Sequence, residues 1–321
     1  MKSVLKAVAV LAMTGGSALA QTVWTMPTEY PATAMPGQGI ATFAAEVEKR
    51  VPDVLTIKPS FGGEAGIKSA GMLAAIGEGK VQAGDAFGGA LRSIDPIFGL
   101  SSLPFVATSI DGAHKLADDA RSAYDAAFRK QGVRLLYMTP WPASGIWAKA
   151  PLGSLSDLKS LAMRTYDDTS TEVMKSAGVN ATKLSWADAI PRLRSGDANA
   201  VLSSGDGGAG RKLWEILPSF SELNYAIPLS FATVSLKAYE ALPAEVQQAV
   251  DEAAKATEAR QWQAMLTRVD ENYDRMRKNG VQVQTEIPTE IVISMKTDAS
   301  WVIEKWKTQS PDGARLLDGM K

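Results

Sequence analysis

The chain has 321 residues, 45% of them hydrophobic and 21% charged, and its 34 basic and 35 acidic side chains leave a formal net charge of −1. That is apolar material for a sizeable core and length for two lobes, and the balanced charge argues against a nucleic-acid or anionic-membrane surface, which needs a basic excess. Cysteine is absent and histidine occurs once, at His114, which removes thiol nucleophiles, disulfides and Cys/His-rich metal sites, and leaves a Ser-His-Asp triad only His114 to rest on.

The chain opens with a basic start at Lys2 and Lys6, an apolar run Ala7–Met13 too short to span a bilayer, and the small-x-small site Ala18-Leu19-Ala20. This order of features predicts an export signal over 1–20 and a mature chain from Gln21, periplasmic and soluble. No later stretch is apolar for the length a membrane helix needs, so direct membrane insertion is not expected.

From there a first lobe is expected over 21–138. Val23–Met26 and Val54–Lys58 read as strands. Between them lie breaks at Pro27, Pro31 and Pro36-Gly37 and a helix from Gly39 to Arg50, with Ile40, Phe43, Ala44 and Val47 on one face. After the Gly-rich turn Phe61–Gly66 the pattern predicts a helix over Ile67–Ile76, a strand over Val81–Phe87, a helix from about Gly112 to Lys130, and a strand over Val133–Met138. This β-α-β-α-β rhythm implies a largely parallel sheet whose ligands sit beyond the strands' carboxyl ends. Glu64 and Phe87 stand at that rim.

The rhythm changes at Thr139–Lys149, a crossing into a second lobe expected over 139–231. Strands are predicted at Leu161–Thr165, Ala181–Leu184 and Ala198–Leu202, with helices at Ser170–Ser176 and Ala187–Leu193, the second bent or shortened by Pro191. Arg164 closes its apolar run where a strand would end, and its fixed fork of donors suits a carboxylate in a cleft. Gly205–Gly210 matches G-x-G-x-x-G, but Pro218 follows within two turns. That is too short for the crossover helix of a dinucleotide fold, so a flexible loop opening the helix Arg211–Leu217 is the better reading. Ile227–Leu236 runs back, so that about 232–260 rejoins the first lobe. Pro243–Met276 reads as one helix long enough to bridge both lobes, then a strand Val281–Val283 and helices Pro288–Lys307 and Ala314–Met320, part of 261–321 belonging with the second lobe.

The fold class that results is α/β, two βαβ lobes with a ligand cleft between them. Across the whole mature chain the sequence resembles the substrate-binding component of tripartite ATP-independent periplasmic (TRAP) transporters, the DctP family. The resemblance is carried by Leu103-Pro104-Phe105, the block Asp157-Leu158-Lys159 to Arg164, Trp186, Leu193–Gly196, Leu213-Trp214-Glu215 and Leu242-Pro243. It implies that Arg164 pairs with a ligand carboxylate, that Trp186 packs over the ligand, and that Ser203 stands where the family commonly carries a polar asparagine. Trp147 falls where sialic-acid binders carry a second arginine, which argues against such a ligand and leaves Arg164 as the only fixed cation of the pocket. Trp141 and Trp147 either bury the ligand's carbon face or pack at the hinge. Phe87, Glu64 and Asp206 complete the expected contacts. Asp168, in the pair Asp167-Asp168, is either a solvated turn residue or an acceptor for a ligand hydroxyl or amine. The implied function is capture of a small organic acid by hinge closure and delivery to TRAP permease membrane subunits, with no catalysis, cofactor or metal. A sulfonate or small polar amine as ligand, a ligand sensor, or an exported enzyme on the same scaffold stay open, as does the choice between monomer and homodimer.

Overall fold

The computed structural model describes residues 21–319; the expected export signal, 1–20, and Met320 lie outside the described residues. The first lobe begins with strand β1 (Thr22–Pro27), helix α1 (Met35–Arg50) and strand β2 (Leu55–Ser60), β1 and β2 pairing in parallel. The helix starts four residues before Gly39, so Pro36-Gly37 is no break. Proline is accommodated in a first turn, where no backbone donor is required. Here the free Met35 N–H donates to the Asp206 carboxylate of the second lobe at 2.9 Å. Next come α2 (Met72–Gly77), β3 (Ala83–Phe87), α3 (Ile110–Arg129) and β4 (Val133–Pro140). The helix expected from Ile67 is shorter, because Lys68 is extended and Ser69–Gly71 makes a single 3-10 turn.

The second lobe holds β5 (Ser144–Ala148), α4 (Leu155–Lys159), β6 (Ala162–Thr165), α5 (Asp168–Ser176), β7 (Asn180–Lys183), α6 (Trp186–Ser195), β8 (Ala200–Ser204), α7 (Gly205–Gly210) and β9 (Ser219–Ser221). The chain then returns through β10 (Leu229–Ser235), α8 (Leu236–Glu240) and α9 (Ala244–Lys278), and ends in β11 (Gln282–Gln284), α10 (Thr289–Gln309) and α11 (Pro311–Asp318). Helix α6 continues through Pro191 without a break.

Strand pairing among the described residues is mixed rather than largely parallel. Strand β10 lies between β3 and β4, antiparallel to both, and in the order β11-β9-β5-β8-β6-β7 strand β5 is antiparallel to both neighbours. The cause is topological. Strands fed by a helical crossover run toward the cleft, whereas β5 and β10 enter from the cleft and run away from it. The carboxyl ends of β3, β6 and β8 therefore meet the amino ends of β5 and β10 around one space.

Helix α9 has 35 residues, about 50 Å at 1.5 Å per residue. Val246, Val250, Ala253 and Ala254 pack with Ile40, Phe43 and Val47 of α1, Trp262 and Met265 join the core under α3, and Met276 packs with Trp147 and Phe220 of the second lobe. It bridges the lobes, as the expected α/β bilobed architecture requires. Helix α10 packs Ile291, Met295, Ala299 and Val302 on the second lobe, while Trp306 and Leu317 return to the first. Among the described residues no helix is long and apolar enough to cross a membrane.

The glycine run is a buried helix, not a flexible loop, and the segment after it is not the expected helix: Lys212 is left-handed and Leu213–Glu215 forms one 3-10 turn. Ser204 caps α7, its Oγ accepting from Gly207 N–H at 3.0 Å. A Cβ on Gly208 would fall 2.2 Å from the Trp147 ring. At Gly208 the missing side chain lets the backbone lie on an indole.

Candidate ligand-binding site

Between the lobes lies a cavity of about 300 Å³. Arg164 reaches it from the end of β6. Its side chain is 5% exposed. Nε donates to the Leu184 carbonyl at 2.9 Å and Nη1 more weakly to the Leu202 carbonyl at 3.4 Å. Among the described residues it has no carboxylate within ion-pairing distance. Burial lowers its pKa, while Tyr30, Glu29, Tyr166 and Asp167 act in the opposite direction. A buried cation short of a counterion is costly, and the remaining donors of its fork favour an anion arriving in the cavity.

The walls are aromatic. Trp186, at the start of α6, sits 4.3 Å from the Arg164 guanidinium carbon. Tyr30 meets Trp141 edge-on at 4.7 Å, and Phe87 meets Tyr166 at 5.2 Å. Trp141 is fixed because its Nε1 donates to Ser230 Oγ at 3.0 Å. Polar groups are interleaved: Ser203 and Ser204 from β8, Ser144 from β5, and Ser69, whose hydroxyl accepts from Phe87 N–H at 3.0 Å. Burial raises the Tyr30 and Tyr166 hydroxyls well above their ordinary pKa, the neighbouring carboxylates Glu29 and Asp167 adding to it. Both remain neutral hydrogen-bonding groups near pH 7. At the mouth Lys68 of the first lobe pairs with Asp188 of the second at 2.9 Å.

Five of the sequence-predicted residues therefore line one cavity: Arg164, Trp186, Ser203, Trp141 and Phe87. Four do not. Trp147 is fully buried behind it, its Nε1 donating to the Ser204 carbonyl at 3.2 Å, and serves as the floor on which α7 rests. The Asp206 carboxylate is consumed by Met35 N–H, by Arg268 Nε at 2.6 Å and by Asn272, so it ties α1, α7 and α9 together. Glu64 is exposed on the turn before α2, outside the cavity lining. Asp168 is outside the cavity lining and pairs with Lys183 at 2.7 Å. Arg164 is also not the only cation of the pocket, since Lys68 and Lys183 contribute to its wall. Each of those lysines has a carboxylate partner, so Arg164 is distinguished by lacking one.

Missed in the sequence were Tyr166, Ser144, Ser69, Lys68 and Asp188. Tyr166 had a usable signal, because it stands two residues beyond Arg164 at a strand end and so faces the same way. The others come together only through the packing of distant segments. His114 lies on α3, stacked at 4.2 Å on Trp262, and does not line this cavity. What the cavity offers is a set of binding groups: a buried guanidinium, aromatic walls and hydroxyls.

A family model for bacterial extracellular solute-binding protein, family 7 (DctP), matches residues 27–308. Among solved structures, the Bordetella pertussis extracytoplasmic solute receptor DctP7, which binds pyroglutamic acid, is 29% identical with a TM-score of 0.88, the match covering 93% of this chain and 99% of that one. A TRAP solute-binding protein from a marine metagenome, specific for pyroglutamate and solved with co-purified pyroglutamate, is 25% identical with a TM-score of 0.87, covering 94% of this chain and 99% of that one. A Haemophilus influenzae protein described as uncharacterized is 22% identical over 219 residues, which span 66% of this chain and 65% of that protein.

Proposed function

Because the chain belongs to the bacterial extracellular solute-binding proteins of family 7, DctP, we propose that it is the periplasmic receptor of a TRAP-type transporter, that it captures a small carboxylic acid between its lobes, and that it delivers this acid to membrane permease subunits. The observation that carries the ligand class is Arg164, a buried guanidinium without a carboxylate partner among the described residues. A ligand carboxylate would supply the missing charge through paired, charge-assisted hydrogen bonds. Trp186, Trp141 and Phe87 would cover its carbon skeleton, and Ser203 with Tyr166 would meet its remaining polar groups.

Pyroglutamate is the first acid to try. It combines one carboxylate with a compact ring, and it is bound by two solute receptors that are 29% and 25% identical to this chain. A cavity of about 300 Å³ favours a molecule of that size over an oligosaccharide. In this reading 21–138 with about 232–260 acts as one jaw, and 139–231 with part of 261–321 as the other. Closure strengthens the Arg164 contact by expelling water.

The test is calorimetric titration and thermal melting of the protein with pyroglutamate, a short dicarboxylate, a sulfonate and a small polar amine. A bound acid raises the melting temperature, since ligand held by the folded state stabilises it. A rise with the amine alone would overturn the carboxylate reading, and appearance of product at catalytic rates would overturn the receptor reading.

A further inference from the structure

Arg211 lies just after α7, in the second lobe, and its side chain turns back toward the first. Nη2 donates to the Glu29 carbonyl at 2.9 Å. The guanidinium carbon stands 5.2 Å from the Tyr30 ring and 4.5 Å from the Trp186 ring. Arg164 stands 4.3 Å from the same indole. Tyr30 and Trp186 both line the ligand cavity, one from each lobe, whereas Arg211 does not line it. Arg211 has no ion-pair partner among the described residues, and its Nη1 is shielded from solvent without an acceptor. A guanidinium in this position is held by ring faces and one carbonyl, contacts that gain strength where water is excluded.

Resting on the receptor reading of the cavity, we propose that Arg211 is a positioning residue that couples ligand capture to lobe closure: by joining Glu29 and Tyr30 of the first lobe to Trp186 of the second, it holds the closed cavity shut and sets the residence time of the ligand. The contacts to Glu29 and Tyr30 cross the cleft, so opening breaks them. A group that interacts only in the closed state shifts the opening equilibrium and leaves the first encounter untouched.

The ligand's charge reinforces the device. Burial lowers the Arg211 pKa to about 10, and the like charge of Arg164 contributes in the same direction. An acid seated on Arg164 neutralises that charge, so Arg211 is held with less repulsion once the cavity is occupied. Closure is thereby favoured by an anion in a way that a neutral molecule of equal shape does not match.

The experiment is stopped-flow binding of pyroglutamate, followed by intrinsic tryptophan fluorescence, with wild type, R211A and R211K, alongside melting of the ligand-free proteins. The expected result is an association rate within about threefold of wild type and a dissociation rate raised roughly tenfold or more in R211A, affinity differences within one interface lying mostly in dissociation. R211K keeps the charge but loses the planar fork and dissociates at an intermediate rate; it also carries the test if R211A does not fold. Unchanged dissociation in both variants overturns the proposal. So does a loss confined to association, or one accounted for by an equal loss of ligand-free stability. If wild type itself does not bind pyroglutamate or another small acid, the receptor reading fails and this inference with it; if wild type binds and the variants hold the acid as long, only this inference fails.

Discussion

Replacing Arg164 with alanine removes the only lining cation that lacks a carboxylate partner among the described residues. In wild type the carboxylate of a bound acid meets a guanidinium whose Nε and Nη1 are already turned to the Leu184 and Leu202 carbonyls, so the fork is pre-oriented. Truncating one partner of a buried, hydrogen-bonded charge pair costs about 3–5 kcal/mol, much of it the penalty of leaving the other charge unpaired. That corresponds to roughly a 10²–10³-fold or greater loss of affinity at 1.4 kcal/mol per decade. The ligand-free protein should respond in the opposite sense, because the variant no longer buries an uncompensated cation: its melting temperature should hold or rise, even though the contact with Trp186 is lost. Arg164→Lys keeps the charge but not the planar fork and falls between the two. Calorimetric titration with pyroglutamate gives the affinity, and scanning calorimetry without ligand gives the stability. An Arg164→Ala protein that binds within about threefold of wild type would refute the reasoning, because no charge-assisted contact of this kind is so weak.

Three further outcomes are expected. Burial holds the Asp85 carboxyl up at about 8, with a hydrogen bond from Thr28 acting the other way. In the unfolded chain the group titrates near about 3.9. The folded state therefore binds the proton more tightly, and this contribution to stability is fully present below about pH 4 and is lost as pH rises to about 8. Asp85→Asn should flatten the fall of melting temperature across that window, and parallel profiles for the two proteins would contradict it. Gly208→Ala places a methyl 2.2 Å from the Trp147 ring, which Phe220 and the bond to Ser204 hold in place; overpacking of about 1–3 kcal/mol should lower the urea midpoint, and an unshifted midpoint would show that the helix can move off the indole. Lys68→Ala removes the ion pair at the mouth, whose side chains are 50% and 52% exposed. Affinity should change less than about threefold and the difference should fade in high salt, as for other exposed pairs; a larger effect that survives 1 M salt would mean Lys68 touches the ligand.

Much of the architecture is legible in the sequence, and the reason lies in what is local. Helical periodicity, the Gly and Pro punctuation and the βα alternation depend on neighbours in the chain, so the order of elements and the α/β class follow from them. The position of Arg164 at a strand's carboxyl end is local too, and in a βα unit that end faces the cleft. The long helix is recognisable by its unbroken charged and apolar pattern from Val246 onward.

What the tertiary structure alone decided is which way each side chain is answered. Trp141 and Trp147 stand six residues apart in one crossing segment, equally plausible as ligand contacts. One faces the cavity because its indole is held by Ser230 on a strand arriving from far along the chain, and the other is covered because α7 lies on it. Asp206 reads as a cleft acid until Met35 of α1 and Arg268 and Asn272 of α9 converge on it from two distant segments. The antiparallel run of β5 and β10 likewise depends on where each strand enters its lobe. Local pattern specifies an element and its faces; which face meets ligand, solvent or another helix depends on partners tens to hundreds of residues away, and only the folded chain brings them into contact.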